Sequence, residues 1–91
     1  MKIARQAAAG SLESSDILVT LAPGGGEVEI ILTSSVENYY GDAIRETMRR
    51  TLEELGVTSA RVEAVDHGAL ECTIKARITT AVRRAGEEAR L

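Results

Sequence analysis

Few side chains in this sequence are equipped for covalent chemistry: one histidine, His67, one cysteine, Cys72, and the serines Ser11, Ser14 and Ser15 of the stretch GSLESSDILV. A histidine acting as general base needs a nucleophile and an orienting partner within hydrogen-bond reach. Asp66 adjoins His67, but neighbours on a turn do not ordinarily face each other, so His67 reads as the polar residue of a tight turn with Gly68. Cys72 shares its expected face with Leu70 and Ile74. It reads as a buried small hydrophobe, because a reactive thiol needs an exposed, electropositive setting. A single cysteine also excludes an internal disulfide framework and a multi-cysteine zinc site, and no metal site is expected. Pro23-Gly24-Gly25-Gly26 lacks the Lys-Ser/Thr ending of a phosphate-binding loop. No catalytic base accompanies the serines, which argues against serine hydrolysis. A serine on a mobile segment can instead be a passive acceptor that another enzyme modifies. Serines also suit flexible chain ends, and composition alone does not separate these two readings.

Composition narrows the partners. The 91 residues are enough for one domain, 1–91, with one modest core. Trp and Phe are absent and the only aromatics are Tyr39 and Tyr40, which disfavours stacking on single-stranded bases. A net charge of −3 and a pI near 5.1 disfavour nucleic acid, whose binding rests largely on phosphate neutralisation. MKIARQAAAG lacks the apolar run of a signal peptide. No stretch approaches the ~20 apolar residues of a membrane span. A soluble, cytoplasmic protein without nucleic-acid or membrane partners is the expectation.

Periodicity supplies the elements that position these residues. Residues 1–15 show no convincing period and read as a flexible arm bearing the serines, with at most a short strand near Lys2–Ala8. Ile17, Val19 and Leu21 alternate as on a half-buried strand, and Val28, Ile30 and Leu32 resume the alternation after the Gly-rich break, which reads as a hairpin. Ser34 and Glu37 have capping-box spacing. Val36, Tyr40, Ala43, Ile44, Met48, Leu52 and Leu55 then mark the apolar face of a long helix that Gly56 stops. Its carboxylates Glu37, Asp42, Glu46, Glu53 and Glu54 read as a solvated face. Ala60, Val62 and Ala64 alternate, as do Leu70, Cys72, Ile74 and Ala76 beyond His67-Gly68, which predicts a second hairpin. Ile78, Ala81, Val82 and Ala85 suit a short final helix, and residues 87–91 read as a fraying tail. The expected fold is α+β: a two-layer sandwich in which an antiparallel sheet of about four strands, as two hairpins, is covered by one long helix, with a short C-terminal helix. Lys75, Arg77, Arg83 and Arg84 read as a solvated basic edge.

Four segments, in order, carry a resemblance. Ala9-Gly10-Ser11-Leu12-Glu13-Ser14-Ser15-Asp16 resembles the N-terminal motif of the citrate lyase acyl carrier protein (gamma subunit) family. Ile31 to Val36 is similar to that family's strand-to-helix junction, and Tyr40 to Arg45 to its first helical turns. Asp66-His67-Gly68-Ala69-Leu70-Glu71-Cys72 followed by Arg77 resembles its second hairpin. The similarity runs from Met1 to about Arg84.

The resemblance implies a non-catalytic carrier rather than an enzyme. In that family a serine bears a 2'-(5''-phosphoribosyl)-3'-dephospho-coenzyme A group through a phosphodiester, and the matching residue is Ser14. Ser15 stands where the family commonly has Gly and is the reserve position; Ser11 is the third choice. The arm's thiol holds acetyl and citryl thioesters while citrate is cleaved to acetate and oxaloacetate. The implied partners are the alpha (acyl transferase) and beta (citryl lyase) subunits, a prosthetic-group transferase and an acetyl ligase. Related readings are the carriers of citramalate lyase and of malonate decarboxylase. From other classes, the alternatives are an unmodified interaction module and an enzyme acting alone through His67 or Cys72. The ordinary phosphopantetheine carriers place Asp-Ser-Leu at a helix start, whereas here Ser14-Ser15-Asp16 precedes a strand.

Overall fold

The computed structural model describes residues 1–86, without the side chains of Glu37 and Asn38. Its elements are β1 (Ala7–Gly10), β2 (Ile17–Ala22), β3 (Val28–Ser34), α1 (Glu37–Glu54), β4 (Ala60–Asp66) and α2 (Glu71–Ala85). The strands form one sheet in the order β1-β2-β4-β3. β1 and β2 are an antiparallel hairpin, and β2 also runs antiparallel to β4. β3 is parallel to β4, a pairing that needs a crossover connection, which α1 supplies.

Alternation buries one face of this sheet. Ile17, Val19 and Leu21 of β2 lie beside Asp66, Ala64 and Val62 of β4, all of them buried. Both helices cover that face, α1 over β3 and α2 over β1 and β2, and they pack on each other. Met48, Leu52, Ile78 and Val82 complete the core. On the open face, Arg61 bridges Glu29 of the neighbouring strand at 3.6 Å and Glu63 at 3.2 Å. Exposed pairs of this kind contribute at most about 1 kcal/mol each.

The α+β class, the count of four strands and the two helices agree with the sequence. The expected pairing of strands does not. Pro23–Gly26 joins strands that lie on either side of β4 rather than forming a hairpin, and the sheet is mixed. Leu70–Ala76 is not a strand: the segment from Glu71 is the first half of α2. Its two-residue alternation is only apparent, because Leu70, Cys72 and Ala76 are exposed and Ile74 alone is buried. Ile74, Ile78, Ala81, Val82 and Ala85 recur at helical spacing and form one buried stripe. Glu71 in the first turn and Arg83 and Arg84 in the last complement the helix dipole.

α1 also differs in detail. Ile44, Met48 and Leu52 are buried as expected, but Thr47 and Thr51 share their face while Tyr40 and Ala43 stand exposed. The Thr51 hydroxyl is satisfied within the helix, donating to the Thr47 carbonyl at 2.7 Å. The capping box does not form: Val36 is the N-cap, and no side-chain cap bond is made. The Ser34 hydroxyl accepts from the Val36 amide and donates to Asp66 instead. Gly56 adopts φ +72°, the left-handed geometry that ends a helix. Arg50 and Glu46 form an i,i+4 pair at 3.3 Å.

Residues 1–15 are not laid out as a loose arm. Ile3 is in the core and bridges Gly86, the Ala4 amide donates to the Ala85 carbonyl at 2.8 Å, and Arg5 donates to the Gly86 carbonyl. Ala7–Gly10 is an edge strand, so the serines sit in a hairpin connection. The fraying expected of residues 87–91 falls outside the described residues.

Candidate functional site

Residues 11–16 join β1 to β2. The connection begins at Gly10, whose φ of +101° turns the chain out of β1. No side chain fits there, since a Cβ on Gly10 would lie 1.8 Å from the Ile17 carbonyl oxygen. The far end is fixed by Asp16. Its carboxylate receives a two-pronged bond from Arg77 of α2, Nε to Oδ1 at 3.0 Å and a terminal nitrogen to Oδ2 at 2.9 Å. It also accepts from the Ser11 hydroxyl at 2.7 Å and from the Ile17 amide at 2.7 Å. These bonds, that from Arg77 first and then those from Ser11 and Ile17, hold the Asp16 carboxyl well below the usual carboxylate range, and Arg77 is raised in return.

The main chain is tied down as well. The Ser15 amide donates to the His67 carbonyl at 2.7 Å, and the His67 amide donates to the Asp16 carbonyl at 2.9 Å. His67 thus holds the connection through its backbone. The turn that presents it is built on Asp66, whose buried carboxylate accepts from the Ser34 hydroxyl at 2.8 Å, the Gly68 amide at 3.1 Å and the Ala69 amide at 3.0 Å.

Within this frame the three serines differ. Ser11 is half-buried, and its hydroxyl is engaged by Asp16 and by the Glu13 amide. Ser15 is exposed, with left-handed backbone (φ +64°), a conformation that suits Gly and is tolerated here by the tie to His67. Ser14 is exposed at the turn, and its hydroxyl has no hydrogen-bond partner among the described residues. The connection therefore exhibits two unengaged hydroxyls among the described residues, those of Ser14 and Ser15, of which Ser15 has its main chain tied to His67. No basic side chain is hydrogen-bonded to the Ser14 hydroxyl among the described residues.

Three residues differ from the expectation of the sequence. Cys72 is exposed on the first turn of α2, not buried on a strand. Arg77 is not part of a solvated edge but clamps Asp16, and Arg84 donates to the Ala8 carbonyl at 2.8 Å, fastening α2 to β1. Neither the His67 imidazole nor the Cys72 thiol is hydrogen-bonded to a second functional group among the described residues. The clamp is not legible in the sequence, because its partners are 61 positions apart and the alternation from Leu70 to Ala76 leads into Arg77 as a strand would.

Two expectations follow for this frame. Arg77→Gln removes the clamp, and the Asp16 carboxyl then titrates closer to its ordinary value of about 3.9. Because the folded-state value is depressed, the stabilisation exists at neutral pH and above ~4, and is lost as pH falls through the folded value. The stability gap between the two proteins is therefore full at pH 7 and shrinks in strongly acidic solution, as denaturation at a series of pH values will read. Asp66→Asn replaces one acceptor oxygen by a donor and leaves at least one of its three donors unmatched. It costs about 1–2 kcal/mol, measured by urea denaturation.

Comparison with known proteins places this frame. The family described as "ACP: Malonate decarboxylase delta subunit (MdcD)" matches residues 4–85. The citrate lyase acyl carrier protein of Streptococcus mutans is 54% identical over 88 residues, 96% of this chain and 86% of the relative. That of an Enterobacter species is 48% identical, over 97% of this chain and 91% of the relative. That of Streptococcus equi subsp. equi is 52% identical, over 93% and 84%. A chain in the crystal structure of a Pseudomonas malonate decarboxylase hetero-tetramer in complex with malonate shares the fold, with TM-score 0.80 over 94% of this chain and 89% of that one, at 24% identity. With half its residues identical to these carriers along nearly its whole length, the chain belongs to the citrate lyase acyl carrier protein family.

Proposed function

We propose that this chain is the acyl carrier subunit of a citrate lyase, with Ser14 as the residue that bears a 2'-(5''-phosphoribosyl)-3'-dephospho-coenzyme A arm through a phosphodiester. The observation that carries the assignment is the exposed, unpartnered Ser14 hydroxyl in a connection whose neighbours are anchored. The names of the relatives that align over nearly the full chain support the complex. A phosphodiester at Ser14 displaces no hydrogen bond among the described residues, whereas modifying Ser11 would remove the proton its hydroxyl donates to Asp16. Ser15 is the reserve, its hydroxyl exposed but its main chain fixed to His67.

The arm supplies a thiol that holds acetyl and citryl groups as thioesters during cleavage of citrate to acetate and oxaloacetate. The chain's own work is mechanical. Gly10 turns the connection outward, Asp16 and Arg77 fix its return, and His67 holds its middle. Tethering keeps the loaded end at roughly mM effective concentration around the body, so the alpha and beta subunits need not capture it from dilute solution. The prosthetic-group transferase and acetyl ligase are the further partners. This division of labour asks no catalysis of the chain, and the cytoplasm is the compartment it suits. No helix among the described residues is long and apolar enough to cross a membrane.

Reconstitution tests the proposal. The modified, acetylated chain mixed with citrate lyase alpha and beta subunits restores citrate cleavage, and the unmodified chain does not. Restoration of malonate decarboxylation with that complex's subunits, in place of citrate cleavage, would transfer the chain to the other carrier role. Activity with the unmodified chain would favour an interaction module.

A further inference from the structure

Beyond the serine connection, the first half of α1, the start of α2 and the turn between β4 and α2 enclose a cleft of about 520 Å³. Its walls are chiefly apolar, from Ala43 and Ile44 on α1, Ala69 and Leu70 on the turn, and Ile74 on α2. Tyr40 and Leu70 stand at it 60% and 68% exposed, and Ala43 is exposed too. The apolar residues of α1 that the sequence assigns to the core, but that the core leaves out, are those that line this cleft. Its one charged lining residue among the described ones is Glu71. No cationic side chain lines it among the described residues; Arg50, which is not part of the lining, reaches Glu71 at 3.9 Å and is shared with Glu46.

The cleft borders the attachment connection. His67, which receives the Ser15 amide, is followed directly by Gly68 and Ala69, both of which line the cleft. With consecutive Cα atoms 3.8 Å apart, the rim lies within about 10 Å of the serine turn, well inside the span of a nucleotide-and-pantetheine arm. Its occupant must therefore suit an apolar wall, tolerate one carboxylate and be available at high local concentration. The two loads of the carrier differ in this respect. An acetyl thioester is uncharged, whereas a citryl thioester carries two further carboxylates, which Glu71 repels and which no cation of the described lining offsets.

We infer that this cleft receives the acetylated end of the arm and turns away acyl loads that carry carboxylates. The inference rests on the carrier reading above. Between visits the acetyl thioester is then covered from water and small nucleophiles by Ile44, Ala69 and Ile74, and exchange of acetyl for a carboxylate-bearing acyl group leaves the load outside, open to the next subunit. Glu71 is the discriminating residue.

The test uses the isolated full chain, its arm first verified by intact mass and then loaded with acetyl or with succinyl, a load ending in a carboxylate. Methyl NMR signals of Ala43, Ile44, Ala69 and Ile74 are expected to shift on acetylation and to stay at their thiol-form positions on succinylation. Hydroxylamine is expected to release acetyl about tenfold more slowly from the unsubstituted carrier than from Ala43→Phe, which fills the cleft. In Glu71→Gln the succinyl load is expected to move the same methyl signals. Unchanged methyl positions on acetylation overturn the inference, even if Ala43→Phe proves too unstable to compare, and so do equal shifts with both loads. A chain that takes up no arm mass overturns the carrier reading itself, which the mass measurement reveals before any load is added.

Discussion

Ser14→Ala yields a folded chain that gains no mass when produced together with the prosthetic-group transferase. The Ser14 side chain is exposed and makes no hydrogen bond among the described residues, so its removal changes stability by no more than about 0.5 kcal/mol. For a domain of this size that is a shift in melting temperature of less than about 4 °C. Ser15→Ala retains the added mass, because its contribution to the connection is the backbone amide bonded to His67, which the substitution preserves. Ser11→Ala also retains the acceptor hydroxyl at Ser14 but removes a donor from Asp16, so it is modified more slowly. Loss at Ser14 is total, whereas Ser11→Ala slows the modification and Ser15→Ala leaves it in place. The contrast separates an anchorage from a supporting role.

Gly10→Ala is the substitution expected to cost most stability. An L-residue at φ +101° is strained by about 1–3 kcal/mol, and the new Cβ would sit 1.8 Å from the Ile17 carbonyl oxygen, a contact that only backbone movement can relieve. Together these are expected to exceed about 3 kcal/mol, a large part of the roughly 5–14 kcal/mol total of a domain of this length. Melting temperature should fall by about 12 °C or more. The movement must displace the first residues of the serine connection, so modification of Ser14 slows although Ser14 is intact. Gly25→Ala is the control: a Cβ there meets nothing within 4 Å, and thermal melting should change by a few degrees at most.

What the sequence made legible follows from how local each signal is. The alternation in β2 and β4 and the Ile44-Met48-Leu52 stripe of α1 are written in nearest-neighbour spacing, and each is buried as read. The pairing of strands is not local. Nothing in residues 17–34 announces that β4 comes between β2 and β3, because alternation fixes which face is buried and not which strand is adjacent. The start of α2 was misread for a different reason. Leu70, Cys72, Ile74 and Ala76 alternate, yet the helical stripe from Ile74 to Ala85 buries more apolar surface than that alternation would, and tertiary packing prevails. The same error hid Arg77, whose role depends on being on a helix that passes the serine connection. Ser14 was legible only through the resemblance of its surrounding motif. Its freedom, set against the engagement of Ser11, needed coordinates.

The most direct test of the central claim is fragmentation mass spectrometry across residues 10–17 of the unsubstituted chain, produced together with the prosthetic-group transferase. The account predicts that the mass of the phosphoribosyl-dephospho-coenzyme A group is found on Ser14. Mass located on Ser11 or Ser15, or an unmodified chain in cells that fully modify a known citrate lyase carrier, would contradict it.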